Sequence, residues 1–502
     1  MRAAYSPFLT IPVGWRIVIV FYFFAYEWLF PVIAAIGSND AQALLVPRLL
    51  LRLIYLALIC WPLVFYRREF GFLHPLILPT LFITLKDLAK FPLALILPFD
   101  LPFFTFDVPS LSTANSISRL STEDLAWARL WHEATLALAL SSYYLGYFYL
   151  SLLRVPKVRF KQPHHLVPIC LVTTMICVLT GVIFIQLFGG GLINHLIAMR
   201  TGRSALFEGM GQFLFVAEFA VVPVLVWFVY ARRPFADPRW LFALVLSAFV
   251  GMLTTGSRSA FVYPLIVLML LWWQKAGRVL IGPTLALAFA AVIVVGGFGM
   301  VRQDSGDTLD VSIFHPAELN TVVLSAQDEF KERSAEESSF ATFAGARDTL
   351  LFGKTYVASL AFFIPRFAWP GKPRSADAYN MWINFSGYDL ASFGEERAWG
   401  MPVGPVEEAF WNFHIPGVIV LFLILGSFHR WLSNWVLRNP STPALLLVSV
   451  WISINFTGTS ITLTGMLRDA ALITALFYFL KIWRFNRVKK SNVRTEYVPP
   501  RR

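Results

Sequence analysis

The stretch VEEAFWNFHIPG, residues 406–417, is the point where about a hundred polar residues give way to an apolar run. It carries Glu407, Glu408, Asn412 and His414 at a predicted membrane entrance. Ionisable groups within a bilayer are costly, so they usually face a water-filled cavity and mark a functional site. The polar segment 302–405 and the helix after it are therefore predicted to hold the chemistry.

The composition is that of a polytopic membrane protein. The chain has 502 residues, of which 57% are hydrophobic and only 14% charged. About 17 to 25 apolar residues are long enough to cross ~30 Å of hydrocarbon as a helix. The sequence predicts an all-α fold with about twelve spans, near residues 15–36, 45–66, 72–97, 129–153, 166–188, 211–231, 239–256, 259–274, 279–301, 406–428, 442–461 and 466–483.

The net charge of +12 does not indicate nucleic-acid binding, because the excess of Lys and Arg sits in short loops that alternate along the chain. This is the positive-inside pattern of membrane proteins. It predicts that both termini are cytoplasmic and that the loops near 98–128, 189–210 and 302–405 lie outside. The basic loop residues are Arg67, Arg68, Arg154, Lys157, Arg159, Lys161, Arg232, Arg233, Arg239, Lys275, Arg278, Arg430 and Arg438.

The segment 302–405 reverses the charge balance, with 9 Lys and Arg against 14 Asp and Glu. We predict one membrane domain, residues 1–484, with this segment as a large, partly helical outer loop and residues 485–502 as a basic cytoplasmic tail. Within the loop, TYVASLAFFIP (355–365) is too short to span and is predicted to be interfacial or re-entrant. The prolines of PRFAWPGKPRS (365–375) exclude a helix there.

Basic residues on the predicted outer side suit a phosphate-bearing ligand. Arg258 in TTGSRSAF (254–261) lies where a Gly-Ser turn precedes a helix start, which offers free backbone N–H groups and a fixed cation. Arg366 and Lys372 lie on the rigid, proline-rich segment, where Trp369 can stack on a sugar ring or a lipid. The alternatives are an arginine that snorkels to the interface and a solvated basic loop.

Arg200 and Arg203 belong to a further outer segment, GGGLINHLIAMRTGRSALFEGMG (189–211). They are candidates for substrate binding, and interfacial anchoring is the competing interpretation.

Glu408 and Asn412 are one helical turn apart and share a face. A carboxylate in a cavity with apolar walls can act as general base for a sugar hydroxyl. The alternative for a glutamate at a helix start is capping. We predict that one glutamate caps and that Glu408 faces inward. His414 is a secondary candidate for proton transfer. The alternative is that His414 is only hydrogen-bonded and has no role in proton transfer.

Other intramembrane charges are predicted to be structural. Lys86 and Asp87, like Arg468 and Asp469, are adjacent opposite charges, so each is expected to point to a different side and pair with another span. No metal or nucleotide signature is present, since the sequence has neither a Walker A loop nor clustered His and Cys ligands. No metal or cofactor is expected.

Several strings resemble the O-antigen (oligosaccharide repeat unit) polymerase family, the Wzy-type enzymes. They are TGSRSA at an outer helix junction, then GKTY and IPRFAWPGKP in the long loop, then EAFWNFHIPG at the start of the next span. The resemblance runs from about Arg200 to Gly417. The spacing of Arg200 and Gly211 also fits an R-x10-G pattern, whereas His414 stands where glycine is common.

The resemblance implies a GT-C-like, metal-independent glycosyltransferase of the bacterial inner membrane. Such an enzyme transfers a growing glycan from undecaprenyl pyrophosphate to a new lipid-linked repeat unit on the periplasmic side, making O-antigen or exopolysaccharide. It implies that Arg258, Arg366 and Lys372 bind pyrophosphate and that Glu408, followed by Asn412, activates the acceptor. Membrane lipids, a chain-length regulator and a flippase of the same pathway are the implied partners.

The sequence leaves two alternative functions open. An O-antigen ligase has the same donor and architecture but transfers the glycan to a lipid A core. A lipid-linked oligosaccharide flippase or other transporter is expected to carry charged residues along a central path through several spans.

Overall fold

The computed structural model describes residues 10–29, 32, 42–65, 71, 73–77, 122–150, 155, 159–160, 163–201, 211–256, 259–303, 350–364, 368–374, 403–439, 442–455 and 458–484. These residues form a helical bundle. The helices are α1 Val13–Phe23, α2 Gln42–Val64, α3 Thr122–Tyr149, α4 Leu166–Leu187, α5 Leu192–Thr201, α6 Gly211–Glu218, α7 Val221–Tyr230, α8 Pro238–Thr255, α9 Ser259–Ala276, α10 Ile281–Gln303, α11 Lys354–Leu360, α12 Pro405–Arg438, α13 Pro443–Asn455 and α14 Ser460–Phe479.

Six helical stretches in the described part of the chain are long and apolar enough to cross a membrane. They lie in α2, α4, α6 with α7, α8, α12 and α14, and four shorter apolar helices accompany them. The prediction of a helical fold is thus confirmed for the described residues, which hold six candidate spans, whereas the twelve expected spans are not confirmed. Of the third expected span, near 72–97, the described residues 73–77 form turns and the rest lies outside the described residues.

Apolar side chains on the outside of the bundle suit a lipid environment. On α4 the exposed positions Val172, Ile176, Leu179 and Ile183 recur at helical spacing and are 48–57% exposed. The opposite face of α4 is buried. Helix α7, in contrast, is buried on all sides from Val221 through Phe228 and belongs to the main hydrophobic core. A helix that is apolar on every side is typical of a membrane span or of a fully enclosed core.

Helix α12 has clear sequence signals at its start and in its interior. Gly404 is the N-cap, Pro405 occupies the first turn, and Glu407 and Glu408 place negative charge near the positive end of the helix dipole. The helix is broken at Phe413 and His414, whose backbone angles are not helical. Pro416 explains the break, because proline lacks the N–H for the helical bond and restricts the residue before it.

The last two helices begin and end differently from the sequence prediction. Spans at 442–461 and 466–483 were expected, but α13 ends at Asn455 and α14 begins at Ser460. Gly458 turns the chain at φ +105°, and the Thr459 hydroxyl caps α14 by accepting the N–H of Thr462 at 3.2 Å. The cap and the turn, rather than hydropathy, set this boundary.

Glycines allow α3 and α12 to approach backbone to backbone. A Cβ on Gly426 would lie 2.0 Å from the carbonyl oxygen of Tyr143, and one on Gly146 would lie 2.1 Å from that of Leu423. Small residues at membrane helix interfaces permit such close packing. The part of α12 that follows its break is thereby held against α3.

The segment after α3 and the segment after α14 meet in a short antiparallel ladder. Its strands, β1 Arg159–Phe160 and β2 Trp483–Arg484, are the only ones among the described residues. The sequence prediction puts both segments on the cytoplasmic side. The starts of α12 and α14, together with α11, lie next to one another, and the prediction puts all three outside.

Candidate functional site

The short helix α11 is docked on the broken start of α12. Gly353 precedes α11 at φ +79°, and a Cβ there would lie 2.8 Å from the ring of Phe413. The backbone N–H of Leu351 donates to the carbonyl oxygen of Trp411 at 3.1 Å. A helix break leaves carbonyls of the preceding turn without their usual partners. The segment before α11 supplies one such partner, because the N–H of Leu351 donates to the carbonyl oxygen of Trp411.

Glu408 joins three helices through hydrogen bonds. The Thr355 hydroxyl of α11 donates to Glu408 Oε1 at 2.6 Å, and the backbone N–H of Ser460, in the first turn of α14, donates to Oε2 at 2.9 Å. Glu408 is 1% exposed. A carboxylate that accepts the N–H groups of a helix start is stabilised by the helix dipole. Glu408 therefore ties α12 to α11 and α14.

Asn412 extends this network, as the shared helical face predicted. Its Nδ2 donates to Thr355 Oγ1 and to the backbone oxygen of Glu408, both at 2.9 Å. Ser359, one turn after Thr355, donates to the backbone oxygen of Ser460 at 2.5 Å. We call Glu408, Thr355, Asn412, Ser359 and Ser460 the α11 clamp.

Three polar atoms in or beside the α11 clamp have no hydrogen-bond partner among the described residues. They are Asn412 Oδ1, Ser460 Oγ and the hydroxyl of Tyr356. Burial, and after it the charge of Glu408, raises the pKa of the Tyr356 phenol well above its usual value. Buried polar groups are normally satisfied, so these atoms offer a donor and acceptor set to water or to a ligand.

Glu407 is buried as well and pairs with α3. Its Oε1 lies 3.2 Å from Nε2 of His132, and the two side chains are 7% and 10% exposed. One glutamate was predicted to cap and Glu408 to face inward; the structure buries both, with Glu407 directed to α3 and Glu408 to α11 and α14. Next to His132, Glu133 pairs with Arg52 of α2 at 3.1 Å.

A second set of charges lies farther along α14. Arg468 donates to Glu218, at the end of α6, at 2.5 Å and to Asp469 at 2.7 Å. Trp451 Nε1 donates to the other oxygen of Asp469 at 2.7 Å. The expected pairing of Arg468 with another span is present. The expectation that Arg468 and Asp469 point apart is wrong, because the long guanidinium arm folds back to its neighbour.

The structure describes only part of the predicted basic set. Lys372 is half-buried and donates from Nζ to the carbonyl oxygen of Ile364 at 3.1 Å, which anchors the proline-rich segment to the end of the α11 segment. Trp369 is 37% exposed. Arg200 belongs to α5, but its side chain is outside the described part of the chain. The other basic candidates, Arg203, Arg258 and Arg366, lie outside the described residues. The same holds for Lys86 and Asp87.

His414 adopts a backbone conformation that favours glycine. Its φ is 53° and its ψ is −151°, at the break in α12. Its ring packs edge-on against Phe410, with the centroids 4.7 Å apart. In the resemblance stated above, His414 stands where glycine is common, and glycine adopts a positive φ without strain.

Sequence reasoning missed Thr355, Ser460 and the pair His132–Glu407. His132 and Glu133 are ionisable residues within the apolar run 129–153, and such residues are functional candidates in their own right. That signal was available for His132. Thr355 and Ser460 carry no comparable signal, because they are ordinary polar residues whose partners come from distant parts of the chain.

Among the described residues, no three His, Cys, Asp or Glu side chains come close enough together to hold a metal ion. Comparison of the chain with models of protein families, with curated proteins and with solved structures finds no match. The fold and the site define a helical protein with six candidate membrane spans in its described part and with buried, paired ionisable groups at the start of α12.

Proposed function

We propose that this chain is a membrane glycosyltransferase that polymerises undecaprenyl-pyrophosphate-linked repeat units at the periplasmic face of the bacterial inner membrane. The resemblance in the sequence names the reaction. The observation that carries the proposal is the buried group of ionisable side chains at the start of α12, where Glu407 and Glu408 meet α3, α11 and α14.

The location of this group supports a transfer reaction at a membrane surface. Buried carboxylates in a largely apolar bundle are expensive unless they are paired and hydrogen-bonded. Here hydrogen bonds join the loop helix α11 to α12 and α14, and Glu407 joins α12 to α3. A loop held in this way can form one wall of a cavity for a lipid-linked sugar whose tail stays in the bilayer.

In the proposed reaction, arginine side chains hold the donor pyrophosphate and stabilise the negative charge that builds up as the anomeric bond breaks. Arg258, Arg366, Arg200 and Arg203 are the candidates, together with Lys372. A base at the start of α12 removes the proton from the acceptor hydroxyl. The hydroxyl oxygen then bonds to the anomeric carbon, and undecaprenyl pyrophosphate leaves.

Product analysis in a deletion strain tests the proposal against a ligase. Loss of a polymerase leaves single repeat units on the surface lipid, whereas loss of a ligase leaves polymer on the lipid carrier. Wild-type protein should restore long chains, and Arg258→Ala protein present at the same level should not. Full-length polymer from Arg258→Ala would contradict the assigned role of that arginine.

One observation favours a transporter as a second candidate. Arg468, Glu218 and Asp469 form an ion-pair cluster between two candidate membrane spans, and Glu218 lies where α6 ends and α7 begins. Interrupted helices with buried charges are typical of transport sites. Movement of labelled lipid-linked oligosaccharide across vesicles that contain the purified protein, without chain extension, would favour this candidate.

A further inference from the structure

The α11 segment, residues 350–364, has the reverse of the polarity expected at a water-exposed surface. Thr355 and Ser359, which belong to the α11 clamp, are only 0% and 5% exposed. The apolar side chains that point outward are 45–66% exposed: Val357, Leu360 and Phe363. A helix that packs on a protein in water turns its apolar side chains inward and its polar ones outward. The outward side of this segment suits contact with an apolar medium.

Exposed apolar side chains continue beyond α11 itself. Phe352, just before the helix, is 72% exposed, with φ at +46°. The ring of Phe413 lies against the following residue, Gly353, and Phe413 is 46% exposed. Ile461, which follows the clamp residue Ser460, is 45% exposed. Large exposed apolar patches mark sites of interaction with another protein or with a membrane.

A hydrogen bond places α11 at one end of a candidate membrane span. Helix α14 runs over 20 residues from Ser460 to Phe479, which corresponds to about 30 Å, the thickness of the hydrocarbon layer. Lys481 follows its other end, on the predicted cytoplasmic side. Ser359 donates to the backbone oxygen of Ser460 at 2.5 Å, so α11 lies beside the outer end of α14. A bilayer spanned by α14 has its outer boundary at the level of α11.

We propose that the exposed apolar side chains of the α11 segment insert among phospholipid acyl chains of the outer leaflet. The inference rests on the membrane location in the proposed function and is independent of the reaction. The α11 clamp satisfies the polar side chains of the segment from within the protein, and the acyl chains cover its apolar side. Amphipathic elements of this kind enter a bilayer by about 5–10 Å.

The surroundings of the α11 segment favour lipid over a protein partner. Beyond its break, α12 carries exposed Val420 and Ile424, and both α12 and α14 are candidate spans. The α11 segment is hydrogen-bonded to both of these helices, so the medium that covers them adjoins it. Trp369 lies shortly after the segment and is 37% exposed. Tryptophan is enriched at the boundary between a membrane and water.

Fluorescence quenching in lipid vesicles tests the insertion. The full-length protein with Leu360→Cys is labelled with an environment-sensitive dye and reconstituted into vesicles of phosphatidylethanolamine and phosphatidylglycerol. The native cysteines, Cys60, Cys170 and Cys177, are buried and give little background. Phospholipids with a nitroxide on the acyl chain should quench most of the fluorescence, whereas iodide in the buffer should quench little. Phe363→Cys should give the same result, which excludes a local effect of one substitution.

Two further cysteine variants serve as matched controls. Ile176→Cys lies on the exposed apolar face of α4 and should be quenched by the lipid nitroxide, whereas Ala236→Cys lies in the loop before α8 and should be quenched by iodide. Iodide quenching at Leu360 equal to that at Ala236 would show that water covers the segment and would overturn the proposal. Quenching by neither agent would show that protein covers it, from this chain or from a second copy, and would overturn the proposal as well.

The quenching measurement needs no substrate, so it separates failure of this inference from failure of the proposed function. If the dye at Leu360 reports water while the wild-type protein extends the lipid-linked repeat unit, only the insertion is contradicted. If the dye reports lipid while the folded wild-type protein extends nothing, the insertion is confirmed and the proposed function is contradicted.

Discussion

Glu408 and Thr355 form the shortest hydrogen bond between two side chains of the α11 clamp, at 2.6 Å, and both are almost fully buried. Thr355→Val keeps the shape but removes the hydroxyl that donates to Glu408 and accepts from Asn412. A buried group left without its partner costs about 1–3 kcal/mol. We expect a lower thermal unfolding midpoint for Thr355→Val and for Glu408→Gln in purified protein.

The double variant shows whether the two side chains act together. We expect it to be less destabilised than the sum of the two single effects, by about 1 kcal/mol, because both single variants break the same bond. Thr474→Val on α14 is the control, since Thr474 is exposed and its hydroxyl bonds only to its own helix. Additive effects at Thr355 and Glu408 would show that the contact has no energetic role.

His414 carries a backbone cost that glycine would remove. A side chain at φ 53° costs about 1 kcal/mol or more relative to glycine. We expect His414→Gly to raise the thermal unfolding midpoint, and His414→Ala, which keeps the Cβ, to give no such gain. A lower midpoint for His414→Gly would mean that the contact of the ring with Phe410 outweighs the strain.

At the residue scale, helical periodicity predicted that Glu408 and Asn412 lie together, but it did not predict their contacts with other parts of the chain. Glu408 and Asn412 were expected on one face of a helix, and both contact Thr355. Thr355 lies 53 positions before Glu408, and His132 lies on a different helix from Glu407. Such partners are set by how helices pack, which no short stretch of sequence specifies.

At the scale of elements, the contact between α3 and α12 depends on two glycines. Gly426→Ala would place a methyl group 2.0 Å from the Tyr143 carbonyl oxygen, so the two backbones must separate. We expect a marked loss of folded protein and a lower unfolding midpoint, by size-exclusion chromatography and thermal unfolding. Gly465→Ala on α14 is the control, because nothing lies within 4 Å of that position.

For Gly465→Ala we expect unchanged or slightly raised stability, because alanine has the higher helix propensity. Equal behaviour of the two alanine variants would contradict the close packing of α3 on α12.

Hydropathy predicted where helices occur better than where they begin and end. The apolar runs at 166–188 and 239–256 correspond closely to α4 and α8. The start of α14 was placed six residues late, because Thr459 caps the helix through a local hydrogen bond that hydropathy does not register. The break in α12 was likewise not anticipated, although Pro416 is its physical cause.

At the scale of the whole molecule, the predicted topology puts residues 368–374 outside and the loop before α8 in the cytoplasm. Trp369, in the segment 368–374, and Ala236, in the loop before α8, are both exposed. Trp369→Cys should react with an impermeant thiol reagent in intact cells, and Ala236→Cys only after permeabilisation. Cys60, Cys170 and Cys177 are buried and give a low background. The opposite labelling pattern would contradict the topology.

In the proposed function, this one chain extends a lipid-linked glycan, and the pyrophosphate leaving group of the donor supplies the energy. The most direct measurement is incubation of the purified protein with its undecaprenyl-pyrophosphate-linked repeat unit, followed by separation of the products by length. We expect a ladder of products that differ by one repeat unit, with release of undecaprenyl pyrophosphate. Folded wild-type protein that leaves the repeat unit unextended would contradict it.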